Sequence, residues 1–473
     1  MKIFRIAPEN YFKVTLIICL FLSTFLIFKL LQKPQIFDAT LKKITHTYVR
    51  DSVNENIIWK VQQPYYYMDT ANTVRWDGVI YKDIKDNYYS NGDWKYGFFP
   101  LFPIFWKITN ISSLFIGLIN YLLFGISVLI NSNLFLKEKI KSFTERLCVF
   151  TTSLILPPIV TYYLPYADAL TTFTFSMAMY GIFTKRYWVY FISIFLFATS
   201  RPIFVHVGLA FLMLDSLFFL RHLNFKHFIK EITLKLLPLV CGTILVFFLF
   251  YLNSGSFFKY FEAISQYWKT SFSIPNQISD WSIESFAINI FIIFFIILPS
   301  LIIFFKHIVK LYFSKDNKEP QSIFKGNTFF IKDYFFYISI IYSTGVLVYT
   351  MFYQNGTLNG LNRYIFVSPF FLIYFFYVYQ YLKEIPWWIF IISVGLLLIP
   401  SIIMLTSFDK IDPEINFSDV GFFILLLDTI FLFSLKYLNS FMKVSLMIII
   451  TLLNLTLITY LYNIYLCNGW IYT

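Results

Sequence analysis

Charged residues are scarce in this sequence. Asp, Glu, Lys and Arg make up 14% of its 473 residues, whereas an ordinary soluble domain is about one quarter charged. Hydrophobic residues make up 58%, and the mean hydropathy is +0.66. A soluble fold could not bury so much apolar surface, so the composition predicts an all-α polytopic membrane protein.

Cysteine is also scarce, and its placement excludes two kinds of structural support. The four cysteines are single and lie in apolar surroundings: Cys19, Cys148, Cys241 and Cys467. The sequence has no CxxC pair and no Cys/His spacing typical of zinc, so we expect neither structural zinc nor a disulfide framework. It also has no internal repeat, Gly-rich phosphate loop, GxSxG motif or HExxH motif.

Apolar runs that could cross about 30 Å of hydrocarbon as helices predict thirteen spans. The runs centre on 14–31, 113–131, 146–164, 168–184, 187–200, 203–220, 236–253, 284–305, 334–352, 364–381, 386–405, 420–437 and 444–462. We therefore expect 12 or 13 transmembrane helices in a single integral membrane domain, residues 1–473. The short run 187–200 fits a re-entrant or strongly packed helix.

The basic residues lie in short clusters between the apolar runs, which argues against a nucleic-acid partner despite the net charge of +12. With the N-terminus in the cytoplasm, the cytoplasmic segments hold 22 of the 38 Lys and Arg residues, as the positive-inside rule requires. Two long segments then face outward, 32–112 and 254–283. The first is rich in Trp and Tyr, and we expect interfacial helices there.

The first outer segment contains Arg75-Trp76-Asp77-Gly78, followed by FFPLFP at 98–103. A carboxylate in a partly dehydrated loop is a candidate general base, and an aromatic face can stack on a sugar ring. Alternatively, Asp77 is the N-cap of a helix that begins near Gly78, and Trp76 is a membrane anchor.

Three further motifs lie near the outer ends of spans. Asp168 follows Pro165-Tyr166-Ala167 at membrane depth, where an ionisable group usually faces a cavity, although a helix N-cap explains it equally well. Arg201 and the pair Arg363-Tyr364 present guanidinium groups that suit a phosphate, or that snorkel to lipid headgroups. Trp268 lies in the next outer loop, which could shape a substrate groove or form an interfacial helix without substrate contact.

In chain order these motifs resemble the PIG-V family, which comprises GPI mannosyltransferase 2 and its bacterial relatives in the GT-C class of glycosyltransferases. The matching features are RWD in the first outer loop, FFPLFP, a Tyr-x-acidic motif after the third span, a Thr/Ser-Arg-Pro after the fifth, and a late Arg-Tyr pair. The resemblance extends to about residue 370, and the last three spans add nothing specific.

The resemblance implies a GT-C-like helical arrangement. It also implies transfer of a sugar, typically mannose, from a polyprenyl-phosphate carrier with inversion on the non-cytoplasmic side. Asp77 matches the acidic residue of the family's first outer loop, which makes it the candidate catalytic base. Asp168 stands where the family usually has Glu. The residues expected to bind substrate are Arg75, Trp76, Asp168, Arg201, Trp268, Arg363 and Tyr364.

The expected donor is a lipid-phosphate-linked sugar, so no cofactor and no metal is expected. The extra cysteines and tryptophans of eukaryotic lumenal loops are missing, which favours a bacterial inner membrane and a cell-surface glycan or glycolipid as acceptor. Two alternatives remain. An O-antigen-type polymerase has a similar span count but usually places its long outer loop late in the chain. A lipid-linked sugar flippase or transporter should have charged residues at span centres.

Overall fold

The chain is described by a computed structural model that covers 8–31, 48–50, 57–59, 71, 73–90, 92–136, 140, 142–268, 272–275, 285–313, 322–354, 358, 360–407, 417–466 and 471. Much of 32–70, the early part of the first outer segment, therefore lies outside the described residues. So do 276–283 of the second outer segment and Cys467. Cys19, Cys148 and Cys241 are free.

The described chain is helical apart from one short antiparallel pair of strands, β1 Tyr48–Arg50 and β2 Ile57–Trp59. The helices are α1 Pro8–Leu31, α2 Asp77–Asn87, α3 Leu101–Thr109, α4 Ser113–Leu136, α5 Phe143–Ile155, α6 Asp168–Phe183, α7 Tyr187–Ser200, α8 Phe204–His222, α9 Phe225–Ser254, α10 Lys259–Trp268, α11 Phe286–Phe291, α12 Leu298–Phe313, α13 Thr328–Tyr353, α14 Leu361–Phe366, α15 Pro369–Glu384, α16 Trp387–Ser407, α17 Phe417–Ser434 and α18 Ser440–Leu466. The described chain also contains two 3₁₀-helices, Asp93–Gly97 and Pro157–Tyr163, and a π-helical segment, Ile292–Ile297.

Each of the thirteen apolar runs is largely helical in its described residues, so the all-α polytopic architecture is confirmed. Two runs are broken: 146–164 holds most of α5 and the 3₁₀-helix Pro157–Tyr163, and 364–381 holds the end of α14 and most of α15. Within the described residues, seven helices are long and apolar enough to cross a membrane, or eight if the bent pair Phe143–Ile155 and Pro157–Tyr163 is one span. The expected count of 12 or 13 transmembrane helices therefore stays a prediction. The run at 187–200 is the 14-residue helix α7, which at about 1.5 Å per residue is shorter than the hydrocarbon layer.

The described part of the first outer segment forms α2, the 3₁₀-helix Asp93–Gly97 and α3. The FFPLFP string begins α3, because Pro100 occupies the N-cap position and Leu101 the first helical one. The second outer segment contributes α10. Lys259 at its start forms an ion pair of 2.9 Å with Asp93, which joins the two outer segments.

Some ionisable side chains lie inside the long helices. Lys235 of α9 is 2.8 Å from Asp215 of α8, and Tyr334 of α13 donates a hydrogen bond of 2.9 Å to the same carboxylate. Asp428 of α17 is buried and accepts a hydrogen bond from Asn454 of α18. Paired partners make such burial tolerable in a bilayer.

Polar contacts join α4, the start of α6 and the end of α7. Asn120 of α4 donates hydrogen bonds to the carbonyl oxygens of Leu164 and Tyr166, at 2.7 and 3.0 Å. Thr171 of α6 is hydrogen bonded to Ser200 at the end of α7, with 2.9 Å between the hydroxyl oxygens. These contacts fix the turn that precedes α6 and the residue that follows α7.

Candidate functional site

Two of the candidate carboxylates belong to the first residue of a helix. α2 begins at Asp77, with Trp76 in the N-cap position, and α6 begins at Asp168, with Ala167 in the N-cap position. Neither carboxylate is therefore the N-cap that the sequence allowed. Each lies in a first helical turn, where the helix dipole stabilises negative charge.

Arg363, in the short helix α14, connects the two carboxylates. Its Nη1 lies 2.6 Å from Oδ2 of Asp77, and its Nη2 lies 3.0 Å from Oδ2 of Asp168. A planar guanidinium can bind two carboxylates at once because its donors form a fixed fork. Residues from α2, α6 and α14 thus meet in one ion network.

Arg201, the residue after α7, completes this network. Its Nη1 hydrogen bonds to the other oxygen of Asp168, Oδ1. The Asp168 side chain is 1% exposed and that of Arg201 is 11% exposed. The Asp77 side chain is more accessible, at 29%. We call Asp77, Asp168, Arg201 and Arg363 the charged cluster, and its formal charge is zero.

Aromatic rings line the charged cluster. The Arg363 guanidinium lies over the ring of Tyr166, 4.7 Å from its centroid, and that of Arg201 lies over Tyr364 at 5.7 Å. Such contacts contribute about 0.5–2 kcal/mol each, more as the cation is desolvated. Tyr364, predicted from its place beside Arg363, therefore contacts the other arginine.

Burial and charge act in opposite directions on Arg363. Burial lowers the pKa of its guanidinium, but the neighbouring Asp77 carboxylate and Tyr166 more than offset this, so the pKa lies above its ordinary value.

Tyr81, one turn after Asp77, is buried against Phe98 and Phe102. Burial raises the pKa of Tyr81 to about 12, so its hydroxyl stays protonated at neutral pH.

The turn before α2 is strained. Trp76 has φ 48° and ψ −126°, a region that costs a bulky side chain about 1–3 kcal/mol and persists only where neighbours enforce it. Gly78 N–H donates to the Arg75 carbonyl at 2.9 Å, and Val79 N–H donates to the Trp76 carbonyl at 2.9 Å. Trp76 itself is partly buried against the main core.

Tyr465, near the end of α18, is hydrogen bonded to the backbone of the same turn. Its hydroxyl accepts from Arg75 N–H at 3.1 Å and lies 3.1 and 3.2 Å from the carbonyl oxygens of Thr73 and Arg75. The sequence provided no signal for this residue, because a tyrosine near the end of an apolar run is typical of the aromatic belt. Tyr465 also lies beyond residue 370, where the family resemblance ends.

Trp268 packs on Gly97, at the end of the 3₁₀-helix Asp93–Gly97, and on Phe98, rather than within the charged cluster. Its ring packs over Gly97, where an added Cβ would come within 2.7 Å of the indole, and its centroid is 5.9 Å from that of Phe98. Phe98 in turn packs edge-on against Tyr81. A role for Trp268 in binding substrate stays a prediction.

The structure brings the side chains of Asp77, Asp168, Arg201 and Arg363 together, although they are far apart in the sequence. The described residues contain no group of three His, Cys, Asp or Glu side chains that could hold a metal ion. The positive charge of the site comes from the two guanidinium groups. Such a site can offer guanidinium hydrogen-bond donors to a phosphate and, through Asp77, accept a proton.

Comparison with known proteins adds a likeness in fold. No family model matches the chain, so membership of the PIG-V family stays a prediction. No curated protein matches it either. Among solved structures, the chain is similar to the crystal structure of ArnT from Cupriavidus metallidurans bound to undecaprenyl phosphate. The identity is 11%, the TM-score is 0.47, and the match covers 97% of this chain and 78% of that one. A likeness this weak carries no argument about activity.

Proposed function

We propose that this chain is an integral membrane glycosyltransferase of the GT-C class. It moves a hexose, mannose by family resemblance, from a polyprenyl-phosphate carrier to a glycan or glycolipid at the non-cytoplasmic face of a bacterial inner membrane. The observation that supports this proposal is the Arg363 bridge between Asp77 and Asp168. It puts an accessible carboxylate next to cationic groups suited to a leaving phosphate.

In this scheme Asp77 is the general base. Its carboxylate takes the proton from the acceptor hydroxyl while that oxygen attacks the anomeric carbon from the face opposite the phosphate. The bond between the anomeric carbon and the phosphate oxygen breaks, and its electron pair leaves with the lipid phosphate. One displacement of this kind inverts the anomeric centre.

Arg201 and Arg363 stabilise the charge on the departing phosphate. In the described part of the chain, the Nε of Arg363 is buried and has no hydrogen-bond partner. Asp168 is almost fully buried and contacts both arginines. We therefore assign Asp168 to holding the two guanidinium groups in place.

Replacing Asp77 by Asn tests the scheme most directly. Asn is close to isosteric with Asp but accepts no proton, so we expect transfer from polyprenyl-phosphate mannose in membranes to fall by about 10²- to 10⁴-fold. Asp86→Asn is the matched control, since Asp86 lies on the same helix, pairs with Lys85 and has a side chain that is 45% exposed. Near-normal turnover by Asp77→Asn would eliminate Asp77 as the base.

The donor sugar and the acceptor are identified by mass spectrometry of a deletion strain. We expect one hexose to disappear from a surface glycan or glycolipid while its lipid-phosphate carrier accumulates. Unchanged surface glycans and carriers would contradict the proposal. Restoration by the full chain, but not by the Asp77→Asn variant, completes the comparison.

A lipid-linked sugar transporter is the second candidate, because the structure has ionisable groups inside its spans. Asp428 of α17, a helix long enough to cross a membrane, is buried there and accepts a hydrogen bond from Asn454 of α18. The two functions separate in detergent solution. A transferase turns over donor and acceptor without a sealed membrane, whereas transport requires closed vesicles.

A further inference from the structure

We infer that Tyr465, at the end of the last helix, is a positioning residue that sets the placement of Asp77. This inference rests on the proposed function. Tyr465 and Arg75 are 390 positions apart. The contact therefore couples the C-terminal end of the chain to the turn that carries the proposed base.

The hydroxyl of Tyr465 engages the turn through the backbone. It bonds to both the N–H and the carbonyl oxygen of Arg75, and it lies 3.1 Å from the carbonyl oxygen of Thr73. All of these contacts are to backbone atoms, so they do not depend on the side chains of residues 73 and 75. They act two residues before Asp77.

The turn needs such support because Trp76 has a positive φ. A residue in this conformation returns to an ordinary one unless its neighbours prevent it. The carbonyl oxygen of Arg75 accepts from Gly78 N–H at 2.9 Å and lies 3.2 Å from the Tyr465 hydroxyl. Fixing that peptide fixes the first turn of α2, and with it the direction of the Asp77 side chain.

Tyr465 also reaches the charged cluster through Tyr166. The centroids of these two rings are 6.3 Å apart and their planes are nearly perpendicular, and Tyr166 lies beneath the Arg363 guanidinium. Tyr465 is fully buried, and an added Cβ on Gly78 would lie 3.5 Å from its hydroxyl oxygen. Tyr465 therefore contacts both the turn that carries Asp77 and the ring of Tyr166, over which the Arg363 guanidinium lies.

The test is Tyr465→Phe, which removes the hydroxyl and keeps the ring. Tyr462→Phe is the matched control, because Tyr462 is buried one turn earlier on α18 and is not among the hydrogen-bond partners of the turn in the described chain. In the full-length protein we expect faster hydrogen exchange at the amides of Gly78 and Val79 in Tyr465→Phe and unchanged exchange in the control. Unchanged exchange in Tyr465→Phe would overturn the inference, whatever reaction the protein catalyses.

Turnover distinguishes positioning from a purely structural role. With polyprenyl-phosphate mannose as the probe, Tyr465→Phe should lower kcat by about 10- to 100-fold, as small misplacements of catalytic groups do, with little change in the donor KM or the melting temperature. In an Asp77→Glu background the same substitution should have a much smaller effect, since both changes displace the same carboxylate. A full, independent loss in that background would contradict positioning. Altered exchange together with normal turnover by Asp77→Asn would instead locate the failure in the proposed function.

Discussion

Arg363 and Asp77 are 286 positions apart, yet Nη1 of the arginine lies 2.6 Å from Oδ2 of the aspartate. The same guanidinium binds Asp168 through Nη2 at 3.0 Å. The Asp168 carboxylate also forms an ion pair with Arg201, so it contacts both arginines. The two acids and two arginines therefore form one connected network, and its members should respond differently to substitution.

Arg363→Lys should lower turnover by about a hundredfold, comparable to the loss of one preorganised donor to a developing oxyanion. A lysine keeps the charge but cannot bind two carboxylates in one plane, so Asp77 loses its fixed orientation. The measurement is transfer from polyprenyl-phosphate mannose in membranes. Arg186→Lys, at an exposed position outside the cluster, should leave turnover unchanged. Wild-type turnover by Arg363→Lys would show that charge alone is sufficient there.

Asp168→Asn should mainly affect stability. Asp168 is 1% exposed and is the carboxylate that Arg201 contacts. Neutralising it leaves the Arg201 guanidinium, in a side chain that is only 11% exposed, without its carboxylate, and this destabilises the fold by roughly 3 kcal/mol. Asp77→Asn should destabilise it much less, because the Asp77 side chain is 29% exposed. Thermal unfolding of the detergent-purified variants, followed by size-exclusion chromatography, measures the difference. Equal melting temperatures for the two variants would contradict this division of roles.

Gly78→Ala should reduce turnover without unfolding the protein. An added Cβ would lie 3.0 Å from Cγ of Pro165 and 3.5 Å from Cε1 of Tyr166, so the start of α2 must shift away from the turn before α6. We expect a loss of about 10- to 100-fold, as for other small displacements of a catalytic group. Gly345→Ala is the control, since an added Cβ there meets nothing within 4 Å. The prediction is wrong if both alanine variants transfer at the same rate.

Transfer should survive chelation by EDTA. The two guanidinium groups already supply cationic charge at the site. Turnover measured before and after chelation should agree within error. A strict requirement for an added divalent cation would contradict the proposed way of stabilising the leaving phosphate.

Much of the helical architecture could be predicted from the sequence, because a span must satisfy its backbone internally and therefore appears as a long apolar run. The motifs containing Asp77, Asp168, Arg201 and Arg363 could also be found, since charged residues beside apolar runs are conspicuous. The assignment of Asp77 and Asp168 as helix N-caps or as site residues could not be decided. The reason is that sequence patterns do not define a helix boundary to the residue.

The sequence by itself determined that this protein is an all-helical membrane protein, and it pointed to the acids and arginines of interest, because hydropathy and charge are local properties. Only the tertiary structure decided that Arg363 bridges Asp77 and Asp168, and that Tyr465 of the last helix holds the turn before Asp77. Both relationships join residues that are hundreds of positions apart. Helix packing creates them, and no pattern within a single segment encodes which side chains will meet.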